Sequence, residues 1–232
     1  MRLHDYGVST YDEWYFERRY QYSKKMEVIQ KYYLEALLWA NHASPWNLLD
    51  GHRKNALDVG CAYGFVKNLL DGLGYHAFGT DISLFAIHQG AKLGIDKLAL
   101  SDISHLPFRP SSFDLVTCFE VLEHISDPKI ALGELHSLLK PGGILLMSTP
   151  STGAIARLID LLTLEPFVSH ISVKSAHEWI RLLFDLSFSV IKTQSFLLLP
   201  VPPELLDRYF TVKCPLHLSS HTRLLATKSN MG

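Results

Sequence analysis

The sequence predicts an α/β fold, an open doubly wound sheet of mostly parallel strands in a three-layer αβα arrangement. Three observations carry this. Short apolar runs alternate with helix-period segments from Ala56 to Ser148. Acids stand at the carboxyl ends of three of these runs, Asp58, Asp81 and Asp102. A turn of small residues, Gly60, Cys61, Ala62 and Gly64, joins the first run to a helix start. In such a sheet ligands bind outside the strand carboxyl ends.

Residues 1–20 are rich in aromatics and charge, including Tyr6, Tyr11, Trp14, Tyr15, Phe16 and Tyr20. From Tyr22 the apolar positions Met26, Ile29, Tyr33, Leu37 and Ala40 recur at helical spacing, giving an amphipathic helix to about residue 40. Two readings of residues 1–45 stand: a helix packed on the sheet, or a helical lid over a ligand. Ser44-Pro45 and Asp50-Gly51 punctuate the way to strand Ala56–Val59. Phe65, Val66, Leu69 and Leu70 then mark a helix that stops at Leu73-Gly74. Tyr75–Thr80 is the second strand, ending at Asp81, and a short helix follows over about Ser83–Leu93. Leu98–Ser101 is the third strand and Phe113–Phe119 the fourth. Asp127 reads as an N-cap with Pro128 at the first helical position, the helix running to Lys140. Pro141-Gly142-Gly143 stops it, and Ile144–Ser148 is the fifth strand.

Residues 151–170 read as an apolar insertion, either a core helix or a substrate-covering segment. Ser175 caps a helix over Ala176–Leu186, and Phe188–Leu199 is the sixth strand. Pro200–Pro203 breaks it, Glu204–Phe210 is a short helix or loop, and His221–Lys228 is the final strand. The chain reads as a single domain over residues 1–232.

At 232 residues and 47% apolar composition the chain can bury one sizeable core, and no apolar run is long enough to span a bilayer. No signal peptide is apparent, and three cysteines without metal spacing suit a reducing, cytoplasmic setting. A net charge of −1 offers no field for nucleic acid, leaving a small molecule as the expected partner. Oligomeric state is not legible.

The turn decides the ligand. A dinucleotide fingerprint needs a third small residue where Phe65 stands, and Asp58 would oppose a pyrophosphate; a carboxylate there suits a cationic ligand. Asp81 lies where an acid would accept ribose hydroxyls. The pattern D-x-G-x-(G/A)-x-G from Asp58 to Gly64 resembles motif I of the class I S-adenosylmethionine (SAM) dependent methyltransferases. Leu139-Lys140-Pro141-Gly142-Gly143 resembles a further segment of that family. The resemblance covers about residues 55–150. It implies a Rossmann-like, seven-stranded sheet whose last strand is antiparallel, and SAM as cofactor. It further implies that Gly60, Cys61, Ala62 and Gly64 cradle the methionine part with Asp58 nearby. Asp81 would hold the ribose and Asp102 the adenine, Ile82 and Ile103 would flank the ring, and Phe119 would line the cofactor. Ala62 stands where the family usually has a second glycine; a negative φ there would make the alanine harmless.

A second constellation follows the fourth strand: Glu120, Glu123 and His124. If the chain turns helical here, all three face one crevice. Two carboxylates and an imidazole suit Mg²⁺, Mn²⁺ or Fe²⁺. E-x-x-E-H also resembles the metal motif of ubiquinone-biosynthesis O-methyltransferases and of the enzymes that methylate the terminal 2′-hydroxyl of small RNAs. In the RNA group a further histidine lies ahead of the next helix, a place that His170 matches. The other reading gives Glu120 and His124 a metal-free role beside the reacting group, as base or orienting pair. His105, His136, His177 and His217 read as surface or packing histidines. Methyl transfer to a small molecule, first of all to oxygen, is the expected activity; an RNA 2′-O-methyltransferase and a non-catalytic SAM-binding module are the alternatives.

Overall fold

The computed structural model describes residues 11–152, 171–199, 210–215 and 219–229. The expectations for residues 1–10, for His170 and the rest of 153–170, for 200–209 and for His217 lie outside the described residues.

One sheet organises the molecule. Its strands are β1 (Asn55–Val59), β2 (His76–Asp81), β3 (Leu98–Leu100), β4 (Phe113–Phe119), β5 (Leu139–Pro150), β6 (Phe188–Leu199), β7 (Phe210–Lys213) and β8 (His221–Lys228). Their spatial order is β3-β2-β1-β4-β5-β8-β6-β7. The first five strands pair in parallel. β8 is antiparallel to both neighbours, β5 and β6, so β6 runs with the parallel set. Strand order reverses between β1 and β4, and the crevice at that reversal is where a doubly wound sheet takes its ligand.

The sheet has one strand more than the seven expected. β7 pairs antiparallel with the end of β6, Leu199 opposite Phe210 and Phe196 opposite Lys213. The segment expected to be helix or loop up to Phe210 is followed by Phe210-Thr211-Val212-Lys213, whose aromatic and β-branched residues suit a strand that covers an otherwise open sheet edge.

Helices α1 (Met26–Asn41), α2 (Phe65–Gly72), α3 (Leu84–Lys92), α4 (Pro128–Leu138) and α5 (Ala176–Asp185) flank the sheet. Alternation along the central strands splits the core into two layers. Leu115, Ile144, Leu146 and Leu225 pack against Ala36, Leu37 and Ala40 of α1 and Leu70 of α2. Val116, Cys118, Leu145, Met147 and Leu224 pack against Leu132 and Leu135 of α4 and Trp179 and Leu183 of α5. Each fully buried leucine, isoleucine, valine or methionine among these contributes roughly 1.5–3 kcal/mol.

Capping follows the sequence signals. The Ser83 hydroxyl accepts from Ala86 N at 3.1 Å and Asp127 Oδ1 from Lys129 N at 3.0 Å, while Ser175 and Glu178 form a reciprocal capping box on α5. α1 begins later than expected, because Tyr22–Lys25 is a tight 3₁₀ turn. β5 begins earlier than expected: Leu139 already pairs with Phe113, and a register slip before Ile144 absorbs Pro141 and the left-handed Gly142.

Candidate active site

At the tip of β1 the chain makes a turn with positive φ at Gly60 (72°), Ala62 (49°) and Gly64 (82°). A Cβ on Gly60 would lie 2.1 Å from Val121 Cγ2, so glycine is needed there for space as well as for conformation. Ala62 departs from the expectation of a negative φ. It occupies the left-handed region that the family's usual glycine would occupy without strain, and it is held there by its neighbours. Its N–H donates to Asp81 Oδ2 at 2.8 Å, and Gly60 N and Cys61 N donate to Thr80 O at 2.8 and 2.9 Å. The turn is thereby fastened to the tip of β2. No side chain caps α2, and the backbone amide of Lys67 in its first turn is directed at Asp58.

Two acids meet at this turn. Asp58 is 2% exposed; its Oδ1 accepts from Thr117 Oγ1 at 2.7 Å, while Oδ2 is buried without a hydrogen bond. Burial pushes its pKa up to about 7, with the Asp81 charge adding to the rise and the Thr117 bond and the Lys67 backbone amide opposing it. Asp81 accepts from Ala62 N and from Ser83 N, both at 2.8 Å; burial raises its pKa and these backbone bonds oppose the rise. Cys61 is buried beside both acids, which with burial keep its thiol protonated. Ile82 is half-buried between Asp81 and Ser83.

The adenine candidates are more dispersed. Asp102 is exposed past the tip of β3, its Oδ1 accepting from Ser104 N at 2.8 Å. Ile103 packs in the core with Leu57, Val59 and Leu106. Phe119 stacks on Tyr33 of α1, ring centroids 4.4 Å apart.

The aromatic N-terminal segment crosses this crevice. The Ser83 hydroxyl donates to Tyr11 O, and the Tyr11 ring stands edge-on to His124 at 5.8 Å. Burial, Glu123 and Asp81 together push the Tyr11 hydroxyl up to about 12. Phe16 packs between Tyr63 (5.3 Å) and Phe85 (6.2 Å), and Tyr63 OH donates to Glu17 at 2.6 Å.

The second constellation does not gather as a helix would gather it. Glu120 has φ 54°, and Leu122–His124 is a single 3₁₀ turn, so the residues do not share a helical face. Glu120 turns toward β5 and β8: Oε1 accepts from Ser148 Oγ at 2.6 Å and Oε2 lies 3.7 Å from His221 Nε2. Glu123 turns inward, 1% exposed, with Oε2 accepting from Thr149 Oγ1 at 3.2 Å and Oε1 3.8 Å from His124 Nε2. Burial, reinforced by the Glu120 charge, holds its carboxyl well above the usual range. Among the described residues no group of three or more His, Cys, Asp or Glu side chains could hold a metal ion. Glu120 thus faces Ser148 and His221 while Glu123 faces Thr149 and His124, and His170, the remaining residue of the metal reading, lies outside the described residues.

Two functional candidates escaped the sequence. His221, stacked on Phe196 at 5.7 Å, has Nδ1 2.9 Å from Ser220 Oγ and Nε2 facing Glu120. Burial lowers its pKa, with Glu120 opposing and Arg223 assisting. Arg223 lies two residues further along β8. Polar residues opening a final strand at the sheet's functional edge are the one signal that could have flagged them.

A doubly wound sheet with a glycine turn and buried acids at its reversal point has the architecture of a ligand-binding α/β protein. Residues 14–193 match the model of the methyltransferase domain family, and the chain belongs to that family, within the class I SAM-dependent methyltransferases. Over 134 residues it is 31% identical to the ubiquinone biosynthesis O-methyltransferase of Marinobacter nauticus, covering 54% of this chain and 56% of that protein. The chain thus spans little more than half the length of the curated relatives it matches. A Thermotoga maritima SAM-dependent methyltransferase, described as a possible histamine N-methyltransferase, superposes with TM-score 0.66 at 19% identity, covering 93% of this chain and all of that one. The [4+2]-cyclase SpnF superposes with TM-score 0.61 at 16% identity over 84% and 81% of the two chains. These structures share the fold. Among the described residues no helix is long and apolar enough to cross a membrane.

Proposed function

We propose that this protein transfers the methyl group of SAM to a hydroxyl oxygen of a small molecule. The observation that carries the reading is Asp58 Oδ2, a buried carboxylate oxygen without a hydrogen bond, beside a second buried acid at a glycine turn. Buried acids without a counter-cation are electrostatically incomplete. A ligand bearing ammonium and sulfonium charge completes them, and a pyrophosphate does the opposite. The O-methyltransferase relatives support oxygen as the acceptor atom; SpnF is the reminder that fold alone does not choose a reaction.

The residues divide the work. The Gly60–Gly64 turn receives the amino-acid end, Asp81 the ribose, and Asp102 with Ile82 and Ile103 the adenine. When bound, SAM supplies a methyl already activated by its sulfonium. Glu120, held by Ser148 and faced by His221, accepts the acceptor's hydroxyl proton as the new C–O bond forms. Tyr11 and the aromatic segment behind it close the crevice against water. Alignment of this kind supplies roughly 7–11 kcal/mol of a barrier.

Calorimetric titration with SAM at several pH values tests the reading. With Asp58 near 7 in the free protein, a cation selects the ionised form, so below that pH binding must expel a proton. Affinity should rise about tenfold from pH 6 to pH 8, and Asp58→Asn should flatten the dependence. No heat from SAM or S-adenosylhomocysteine on folded protein would overturn the proposal. Binding without turnover over a hydroxyl, amine and thiol panel would leave a binding module.

A further inference from the structure

The Asp58 carboxylate is held from one side of the sheet only. In the parallel ladders of β1, Asp58 is opposite Gly79 on β2 and Thr117 on β4. Residues paired across neighbouring strands share a face, so these two positions flank the carboxylate. Gly79 brings no side chain, and the room is taken: a Cβ there would lie 2.9 Å from Cys61 Sγ and 2.8 Å from Leu98 Cδ2. Thr117 brings a hydroxyl. The residue is fully buried, and a hydroxyl has one proton to give. Asp58 Oδ1 lies 2.7 Å away and Leu57 O 3.4 Å. The shorter contact has the length of a hydrogen bond from O–H to an ionised carboxylate.

The other neighbours do little for that ion. Asp81 from β2 adds a like charge, and the Cys61 and Cys118 thiols, which feel the Asp58 charge, are kept protonated by burial. Lys67 of α2 lends its backbone amide alone, because its ammonium is turned to Asp71 Oδ2 at 2.5 Å and Asp96 Oδ1 at 2.7 Å. Among the described residues, Thr117 is the one side chain that hydrogen-bonds the carboxylate. A bond made to the ionised form favours it, and losing that bond favours the proton.

Resting on the SAM-binding reading, we propose that Thr117 is a positioning residue of the cofactor site, whose hydroxyl holds Asp58 as an anion for the cofactor's positive charge to meet. Thr117 acts through Asp58 rather than on the cofactor. It sets the pH above which the carboxyl has lost its proton, and so the pH above which the cofactor binds well.

Titrations of the full chain with SAM from pH 6 to pH 9 test this in the parent, Thr117→Val and Thr117→Ser. Thr117→Val keeps the branched shape and removes the donor, and should raise the midpoint of the pH dependence by about one pH unit. SAM binding should then be about fivefold weaker than in the parent at pH 7 and about equal to it at pH 9. Thr117→Ser should keep the parent's midpoint. The ¹³C carboxyl resonance of Asp58, followed against pH without cofactor, should show the same upward move in Thr117→Val. Weakening by one factor at every pH overturns the proposal, since a merely structural hydroxyl would act in that way. So do an unchanged midpoint in Thr117→Val, a raised midpoint in Thr117→Ser, and a Thr117→Val protein that fails to fold. An Asp58 resonance that moves as expected in a chain that binds no SAM would instead sink the cofactor reading and leave Thr117 as the residue that sets Asp58.

Discussion

At the β1–β2 end of the crevice, Asp81 is satisfied by backbone amides. Asp81 accepts from Ser83 two residues on and from Ala62 nineteen residues back. At the β4–β5–β8 end the contacts are side chain to side chain and come from far away. Glu120 meets Ser148 across 28 residues, Glu123 meets Thr149 across 26, and His221 arrives on the last strand. Backbone amides cannot be mutated and hold their positions through the turn itself, so the first end is preorganised for one ligand. Side chains on separate strands can be exchanged singly, so the second end is where a family of enzymes can vary its acceptor.

The sharpest way to break this contrast is to remove the residue on which the first end hinges. Asp81→Ala leaves two buried N–H groups, of Ala62 and Ser83, without acceptors. Each orphan costs about 1–3 kcal/mol. The expected outcome is a loss of roughly 2–6 kcal/mol in urea unfolding, together with disappearance of the SAM titration heat at micromolar protein. A variant that keeps both stability and SAM binding would show that the turn holds itself.

The second end should behave in the opposite way, with activity lost and stability kept. Glu120→Gln retains the Ser148 hydrogen bond but cannot take a proton. It should lower kcat about 100-fold with little change in the SAM dissociation constant or in Tm. Glu123→Gln makes a useful partner. Its carboxyl, lifted by burial and by Glu120, binds a proton more tightly folded than unfolded. Stability from that proton is fully present below the unfolded value of about 4.3 and drains away as pH rises above it, while the folded carboxyl still holds its proton. Glu123→Gln should therefore be close to neutral at pH 4 and increasingly stabilising toward pH 9, measured by thermal unfolding, with turnover within a few-fold of the parent. If Glu123→Gln proves the slower enzyme, the two carboxylates have exchanged roles.

The same contrast explains what could be read from the sequence. The Gly60–Gly64 turn and the capping residues Ser83, Asp127 and Ser175 are local devices, each written within a few residues of the group it serves, and Asp58 and Asp81 stand at strand ends that the sequence marks directly. Short apolar runs are equally local, and they placed β1 to β6 and β8, while the antiparallel direction of the last strand came from the family resemblance. β7 was missed because a four-residue edge strand takes its reason from the neighbour it covers. The sharing of a face by Glu120, Glu123 and His124 was inferred from helical spacing, but the left-handed φ at Glu120 sends its side chain elsewhere. His221 and Arg223 could not be assigned because their partners, Glu120, Ser148 and the rings of Tyr32 and Trp39, lie 70 or more residues away along the chain. Strand pairing alone brings them together.

Ala62 offers the finest test of the preorganised end. With φ 49° the residue stores about 1–2 kcal/mol of left-handed strain that glycine would not feel. Against this, Ala62→Gly removes one buried methyl, worth about 0.8 kcal/mol, and frees the unfolded chain by about 0.4–1 kcal/mol. These effects nearly cancel, so Tm should move by no more than about 3 °C for a chain of this size. Had φ been negative, nothing would offset the two losses, and Tm should fall by about 3–7 °C. Differential scanning calorimetry of the single variant separates the cases. A fall of that size would mean that alanine is at ease in the turn, and that the turn needs no help from the tip of β2.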